Sequence, residues 1–283
     1  MPERKSLIIL GFLLFLDVFV SAAAFDLARP GKLEVVFFDV GQGDAAFIKT
    51  PEGRQVLIDG GPDSSLLEKL AEEMPFWDRT IDLVILTHPE KDHMAGLIEV
   101  LKSYEVENVL WTGVVRDTAD YREWLKLIRE EGANLHIAES GLKIGFGQPY
   151  EFLYVLHPFE SQEGMEMEDS NNTSIIARLV YKDISFIFTG DAYQSAEKQI
   201  ISLGAEVDSD VLKAGHHGSR TSTSREFVEA VSPEFAVISC GKDNSYGHPS
   251  QDALEALEGI DVLRTDLQGD VRFASDGKEV WLD

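Results

Sequence analysis

Leu86-Thr87-His88-Pro89-Glu90-Lys91-Asp92-His93-Met94-Ala95-Gly96 runs from an apolar strand through a short polar loop into a helix. His88, Glu90, Asp92 and His93 fall within six residues. In a loop bent around its own end, alternate side chains turn inward together, so His88 and Glu90 are placed for one metal and Asp92 and His93 for a second. An aspartate here can also cap the following helix. Four such residues in one turn nevertheless point to cation binding, and imidazole with carboxylate suits Zn2+ or Mn2+.

Outward from this loop, short β-branched runs alternate with turns and amphipathic stretches, the pattern of a mixed α/β domain. Strands are expected at Leu33–Phe38, Ala45–Lys49, Gln55–Ile58 and Leu83–Leu86, then at Phe152–Leu156, Ser174–Tyr181, Ile184–Thr189 and Val237–Ser239. Helical spacing appears at Ser65–Glu73, Ala95–Lys102 and Tyr121–Glu131, then at Ala192–Leu203, Ser224–Val231 and Ser250–Glu258. Each half places an aspartate just past a buried strand, Asp59 and Asp191. Strand ends are where α/β sheets build sites.

Asp191 is the candidate carboxylate between two cations, and Asp59 is expected to accept a hydrogen bond from a ligand histidine. A second histidine group, Gly215-His216-His217-Gly218, ends another apolar run. On an extended chain adjacent side chains diverge, so His216 is the expected ligand and His217 a hydrogen-bonding or proton-transfer group. His157, before Pro158, is either a further ligand near His88 or a strand-end residue, and His136 reads as structural. The polar stretch Glu160–Asn172 reads as a surface loop beside the site.

The chain has 283 residues, 44% hydrophobic and 27% charged, which excludes disorder as its main state. A net charge of −25 argues against a broad basic surface that wraps nucleic acid. One cysteine, Cys240, excludes intramolecular disulfides and thiolate zinc clusters. After Arg4 and Lys5, Ser6–Phe25 is apolar apart from Asp17 and two serines. Residues 1–30 therefore read as a signal peptide or single membrane anchor, with 31–283 as an extracytoplasmic domain.

Phe38-Asp39-Val40-Gly41-Gln42-Gly43-Asp44, Thr87–His93 with Gly96, Asn171-Asn172-Thr173-Ser174, Thr189-Gly190-Asp191, Lys213–Ser219 with Thr221–Ser224, and Tyr246-Gly247-His248-Pro249 follow one another along the chain. In this order they resemble the metallo-β-lactamase-like domain of the ComEC competence proteins, over essentially Leu33–Asp283. The resemblance implies a four-layer αββα sandwich, preceded here by one N-terminal hydrophobic helix. It also implies one or two divalent ions at one sheet edge and hydrolysis by metal-activated water, with Asp44 and Asp59 supporting the ligands. Glu90 departs from the superfamily's usual histidine, and a single hydrophobic segment cannot form a DNA-conducting pore.

On this reading Asp92 serves the metal and catalysis, and His217 or His248 supplies the leaving-group proton. Asn172, Lys213, Ser219 and Thr221 are candidate phosphate contacts. The leading substrate is a phosphodiester, either DNA, single-stranded included, or a smaller phosphoester that the acidic surface favours. The alternatives are a hydrolase of another ester or amide, and a non-catalytic extracellular binding or assembly protein that keeps the fold. No residue pattern points to a protein partner.

Overall fold

The computed structural model describes residues 11, 12, 14–17 and 31–283 apart from 168. It divides into a unit of Met1–Gly31 and a unit of Lys32–Asp283. The expected N-terminal hydrophobic helix lies mostly outside the described residues; residues 11, 12 and 14–17 within it are helical. Among the described residues no helix is long and apolar enough to cross a membrane.

In the larger unit the first half runs β1 (Leu33–Phe37), β2 (Ala46–Lys49), β3 (Gln55–Ile58), α1 (Ser65–Glu73), β4 (Thr80–Ile81), β5 (Leu83–Leu86), α2 (Lys91–Ser103), β6 (Glu105–Val106), β7 (Asn108–Trp111), α3 (Ala119–Glu131) and β8 (Asn134–Ile137). The second half runs β9 (Lys143–Gly145), β10 (Glu151–His157), β11 (Ile176–Tyr181), β12 (Ile184–Phe188), α4 (Gln194–Ser202), β13 (Val211–Lys213), α5 (Arg225–Val231), β14 (Phe235–Ile238), α6 (Gln251–Ala256), β15 (Asp261–Arg264), α7 (Thr265–Gln268), β16 (Val271–Ser275) and β17 (Val280–Leu282).

One eight-stranded sheet has the order β17-β16-β1-β2-β3-β5-β7-β8, and a seven-stranded sheet has the order β15-β14-β13-β12-β11-β10-β9. Successive strand residues point to opposite faces, so one strand feeds two cores. Val35 and Phe37 join Ile58, Ile85, Val155, Leu179, Phe186 and Phe188 between the sheets. Their neighbours Val36 and Phe38 meet Leu70, Leu97, Leu101 and Trp124 from α1, α2 and α3 on the outer face. On the second sheet Ile187, Leu212 and Ile238 meet Ile200, Phe227 and Leu257 in the same way. These burial patterns give the expected layers of helix, sheet, sheet and helix.

The C-terminal strands were not legible beforehand. β16 carries Arg272 and Ser275 within its five residues, yet it pairs along the whole of β1, from Leu33↔Ser275 to Phe37↔Val271. Its place is set by that non-local pairing rather than by local composition. Strands β1, β3, β5 and β7 share one direction, as do β12 to β15, and the carboxyl ends of both sets meet at one edge of the sandwich.

Candidate metal centre

Just past β3, Asp59 is buried with φ 58°, a left-handed turn that directs its carboxylate back across the strand ends. It accepts from the Thr87 backbone N–H at 2.8 Å, from Thr87 Oγ1 at 2.7 Å and from His93 Nδ1 at 2.8 Å. With its proton given to Asp59, Thr87 Oγ1 accepts from His88 Nδ1 at 3.1 Å. Helix α2 is pressed against this corner. A Cβ on Gly96 would stand 1.9 Å from the Gly60 carbonyl oxygen, so only glycine lets the helix bring His93 this close.

Two further rings arrive from the turn after β13. His216 and His217 both adopt left-handed backbone, at φ 48° and 55°, so the two rings turn to the same side instead of diverging as an extended chain requires. His217 is buried, and its Nδ1 lies 3.1 Å from Asp44 Oδ1 and 3.0 Å from the Ser239 carbonyl. His216 Nδ1 lies 3.1 Å from Thr221 Oγ1. All four rings therefore place Nδ1–H on an acceptor, which assigns the lone pair to Nε2.

Those Nε2 atoms converge on Asp191. The separations are 3.3 Å for His93, 3.6 Å for His216, 3.6 Å for His217 and 3.9 Å for His88, and Asp92 Oδ2 is 3.4 Å from His217 Nε2. Asp191 Oδ1 and the Nε2 atoms of His88, His93 and His217 are buried without a hydrogen-bond partner. Such atoms are costly to leave unpaired. Of the carboxylates here, Asp44 is paired with the Lys213 ammonium, while Asp59 lies against His93 and Asp92 against His217. Burial opposes charge on the rings, but Asp191 and Asp59 outweigh it and hold the His93 pKa well above its ordinary value. Against the same opposition Asp191 and Asp44 push His217 up to about 10.

The field that draws protons to these rings also draws a cation, which competes for the same lone pairs. The donor set therefore fits a divalent ion. Ligand-type atoms of Asp44, His93, Asp191 and His217 lie within 4.8 Å of one another. Asp44 already accepts from His217 Nδ1 and from Lys213 Nζ, at 2.8 Å, so it orients ligands rather than adding one.

Several expected contributors stand elsewhere. His217, expected as a hydrogen-bonding or proton-transfer group, has the buried, unpartnered Nε2, whereas His216, the expected ligand, is partly exposed and its Nε2 accepts from Asn171 Nδ2 at 3.2 Å. Lys213 is no phosphate contact: it is buried, with Nζ on Asp44 and the Ala214 carbonyl. His157 donates to the Ser174 carbonyl and packs edge-on against Phe159, outside the group around Asp191. Asn172 Oδ1 accepts from the Tyr193 N–H and Ser195 Oγ, while Ser219 supports Thr221 at 3.0 Å. His248 sits half-buried at the rim, with its ring centroid 5.6 Å from that of His216 and Nδ1 3.4 Å from Gln42 Nε2. Burial, then the neighbouring His217 and His216, hold its pKa down to about 4, so it is neutral at pH 7 and not a ready proton donor.

Glu90 has found other partners. Its Oε1 lies 2.9 Å from an Arg116 guanidinium nitrogen and accepts from Ser170 Oγ at 2.6 Å. Neither partner belongs to the histidine loop, and no local spacing announces them. Because the Arg116 charge competes with any cation for this carboxylate, Arg116→Gln is expected to raise the divalent-metal content towards a second ion per chain. Elemental analysis at saturating Mn2+ checks this; an unchanged content would show that Arg116 does not withhold Glu90.

Residues 38–242 match the Metallo-beta-lactamase superfamily. The chain is 34% identical over 267 residues to ComE operon protein 3 of Bacillus subtilis, covering 87% of this chain and 33% of that protein. It is 32% identical over 243 residues to Competence protein ComA of Neisseria gonorrhoeae, covering 84% of this chain and 32% of that protein. The chain thus spans about a third of the length of these curated relatives. The metallo-beta-lactamase fold protein YhfI from Bacillus subtilis shares the fold, with a TM-score of 0.57 at 14% identity, over 89% of this chain and 100% of that one. By the match across most of its length, the chain belongs to the metallo-β-lactamase superfamily and is similar to its ComEC-like members.

Proposed function

We propose that the protein is a metal-dependent phosphodiesterase. The observation that carries this reading is the arrangement of four imidazoles, each with Nδ1–H committed to an acceptor and Nε2 directed at Asp191. His93, Asp191, His217 and Asp92 form the inner group that would hold the ion, with His88 and His216 flanking it. A divalent ion bound there supplies Lewis-acid polarisation of a phosphoryl group and activation of water.

The chain's own residues do the positioning. Asp59 and Asp44 lock the His93 and His217 rings, so little reorganisation accompanies binding. The neutral His248 and Gln42 stand at the rim, where they can hydrogen-bond a substrate's ester oxygens. Similarity to competence proteins supports DNA as a substrate class, whereas the net charge of −25 favours short or single-stranded substrates over a duplex with one charge per about 1.7 Å.

The test is hydrolysis of bis(4-nitrophenyl) phosphate and of linear single-stranded DNA with added Mn2+ or Zn2+. Turnover of both, abolished by chelation, is expected. Inert DNA beside a hydrolysed small diester would remove the nuclease assignment, and inertness towards both across metals and pH would leave a binding protein on this fold.

A further inference from the structure

Four rings lead outward from the candidate centre as a gently fanned row. His93 and His217 have centroids 5.3 Å apart and planes 33° from parallel, His217 and His248 are 6.3 Å apart at 34°, and His248 and Tyr246 are 5.8 Å apart at 24°. The row begins at two imidazoles whose Nε2 atoms face Asp191 and ends at Tyr246, which is 71% exposed. His248 covers one face of the phenol ring, and the exposure of the residue leaves the other available. An exposed tyrosine is ordinary in itself. One that closes a row of rings starting at the candidate ligands is placed for a purpose.

The turn between β14 and α6 that carries this ring is fixed. Asn244 Oδ1 accepts from the backbone N–H groups of Tyr246 at 3.2 Å and His248 at 3.0 Å, and Asn244 Nδ2 donates to the carbonyls of His248 at 2.6 Å and Gly241 at 2.9 Å. The Gly241 N–H donates to Gln42 Oε1 at 3.1 Å, and Gln42 Nε2 lies 3.4 Å from His248 Nδ1. Asn244 and Gln42 thus hold the stacked pair at the rim from two sides. A surface ordered in advance loses little freedom when a ligand lands on it.

A flat ring open to solvent beside a centre that takes phosphate matches one ligand chemistry. In a nucleotide a single sugar separates the phosphate from a planar base. Every base has a π-face, so stacking on a tyrosine tolerates any sequence. With a net charge of −25, the chain cannot gather a strand on a broad basic surface, and stacking supplies affinity that does not depend on charge. Lipid or sugar phosphodiesters lack the flat ring and would leave Tyr246 uncovered.

We propose that Tyr246, backed by His248, is the platform on which the base adjoining the bound phosphate stacks, so that the site selects phosphoesters bearing a nucleobase over those without one. The proposal rests on the phosphodiesterase reading and names the part of the substrate that this site selects.

The test is isothermal titration of Mn2+-loaded protein with the 3′- and 5′-monophosphates of deoxyadenosine, and with deoxyribose 5-phosphate as the base-free comparison. All three are monoesters, so binding is read without turnover. Whichever nucleotide reaches Tyr246 is expected to bind the wild type about 5- to 150-fold more tightly than the sugar phosphate. Tyr246→Phe keeps the flat ring and should keep that ratio. Tyr246→Leu keeps apolar bulk without a π-face and should bring the ratio close to one. At so exposed a position neither substitution should disturb the fold, which a melting curve on each preparation checks. Equal affinity of the wild type for all three compounds, or a ratio retained in Tyr246→Leu, overturns the platform. A loss in Tyr246→Phe as large as in Tyr246→Leu also overturns it, because the contact would then belong to the hydroxyl. Cleavage of linear single-stranded DNA by the same preparations keeps the two readings apart. Cleavage with base-indifferent binding refutes the platform alone, base-dependent binding beside inert DNA refutes the reaction alone, and neither binding nor cleavage refutes both.

Discussion

Asp191→Asn is expected to abolish stoichiometric divalent-metal binding and to lower hydrolysis of bis(4-nitrophenyl) phosphate by about a thousandfold or more. Asparagine keeps the volume of aspartate and removes its charge. The four Nε2 atoms that stand 3.3 to 3.9 Å from the Asp191 carboxylate would then meet an amide, which can donate hydrogen bonds to those lone pairs but cannot share a cation with them. The substitution also removes the buried counter-charge that holds the His93 and His217 pKa values up, so thermal unfolding at neutral pH without added metal should be lowered. Elemental analysis, steady-state kinetics and a melting curve on one preparation check all three parts. A variant that keeps its metal and half its activity would remove Asp191 from the centre.

The second large effect is on stability. Lys213 and Asp44 are both buried and joined at 2.8 Å, across 169 residues of sequence. Removing one partner of such a pair leaves an uncompensated charge in the interior, so Asp44→Asn should cost about 3–5 kcal/mol in urea unfolding. Lys213→Met in the Asp44→Asn background removes the stranded ammonium at similar volume and should recover most of that loss. It should not recover metal affinity, because the His217 ring has lost the carboxylate partner of its Nδ1. An outer partner of this kind is worth about 10- to 100-fold in affinity. Additive losses in the double variant would mean that the pair is not coupled.

How far the site could be read in advance follows the distance over which each interaction acts. His88, Asp92 and His93 were legible because their spacing is local, and Asp59 and Asp191 because both follow apolar strands. The four layers followed from two-residue periodicity, visible in the way Val35 and Phe37 enter one core while Val36 and Phe38 enter another. The convergence of His216 and His217 departs from the extended-chain expectation because both adopt left-handed backbone, a conformation that no composition rule forecasts for consecutive histidines. The capture of Glu90 by Arg116 and Ser170 joins segments 26 and 80 residues away, and Lys213 meets Asp44 from still further. Thr87, which sets both Asp59 and the His88 tautomer, lies inside the decisive stretch, but its residue type announces no such role because a hydroxyl is not itself a metal ligand of this class.

Anomalous diffraction from crystals of the full chain soaked in Mn2+ reports most directly on whether these side chains grip a cation. A strong peak is expected in contact with Asp191 and the Nε2 atoms of His93 and His217, about 2.0 to 2.3 Å from each donor. Full occupancy of the soak with no peak between Asp191 and His217, or with manganese held only by surface carboxylates, would contradict the assignment.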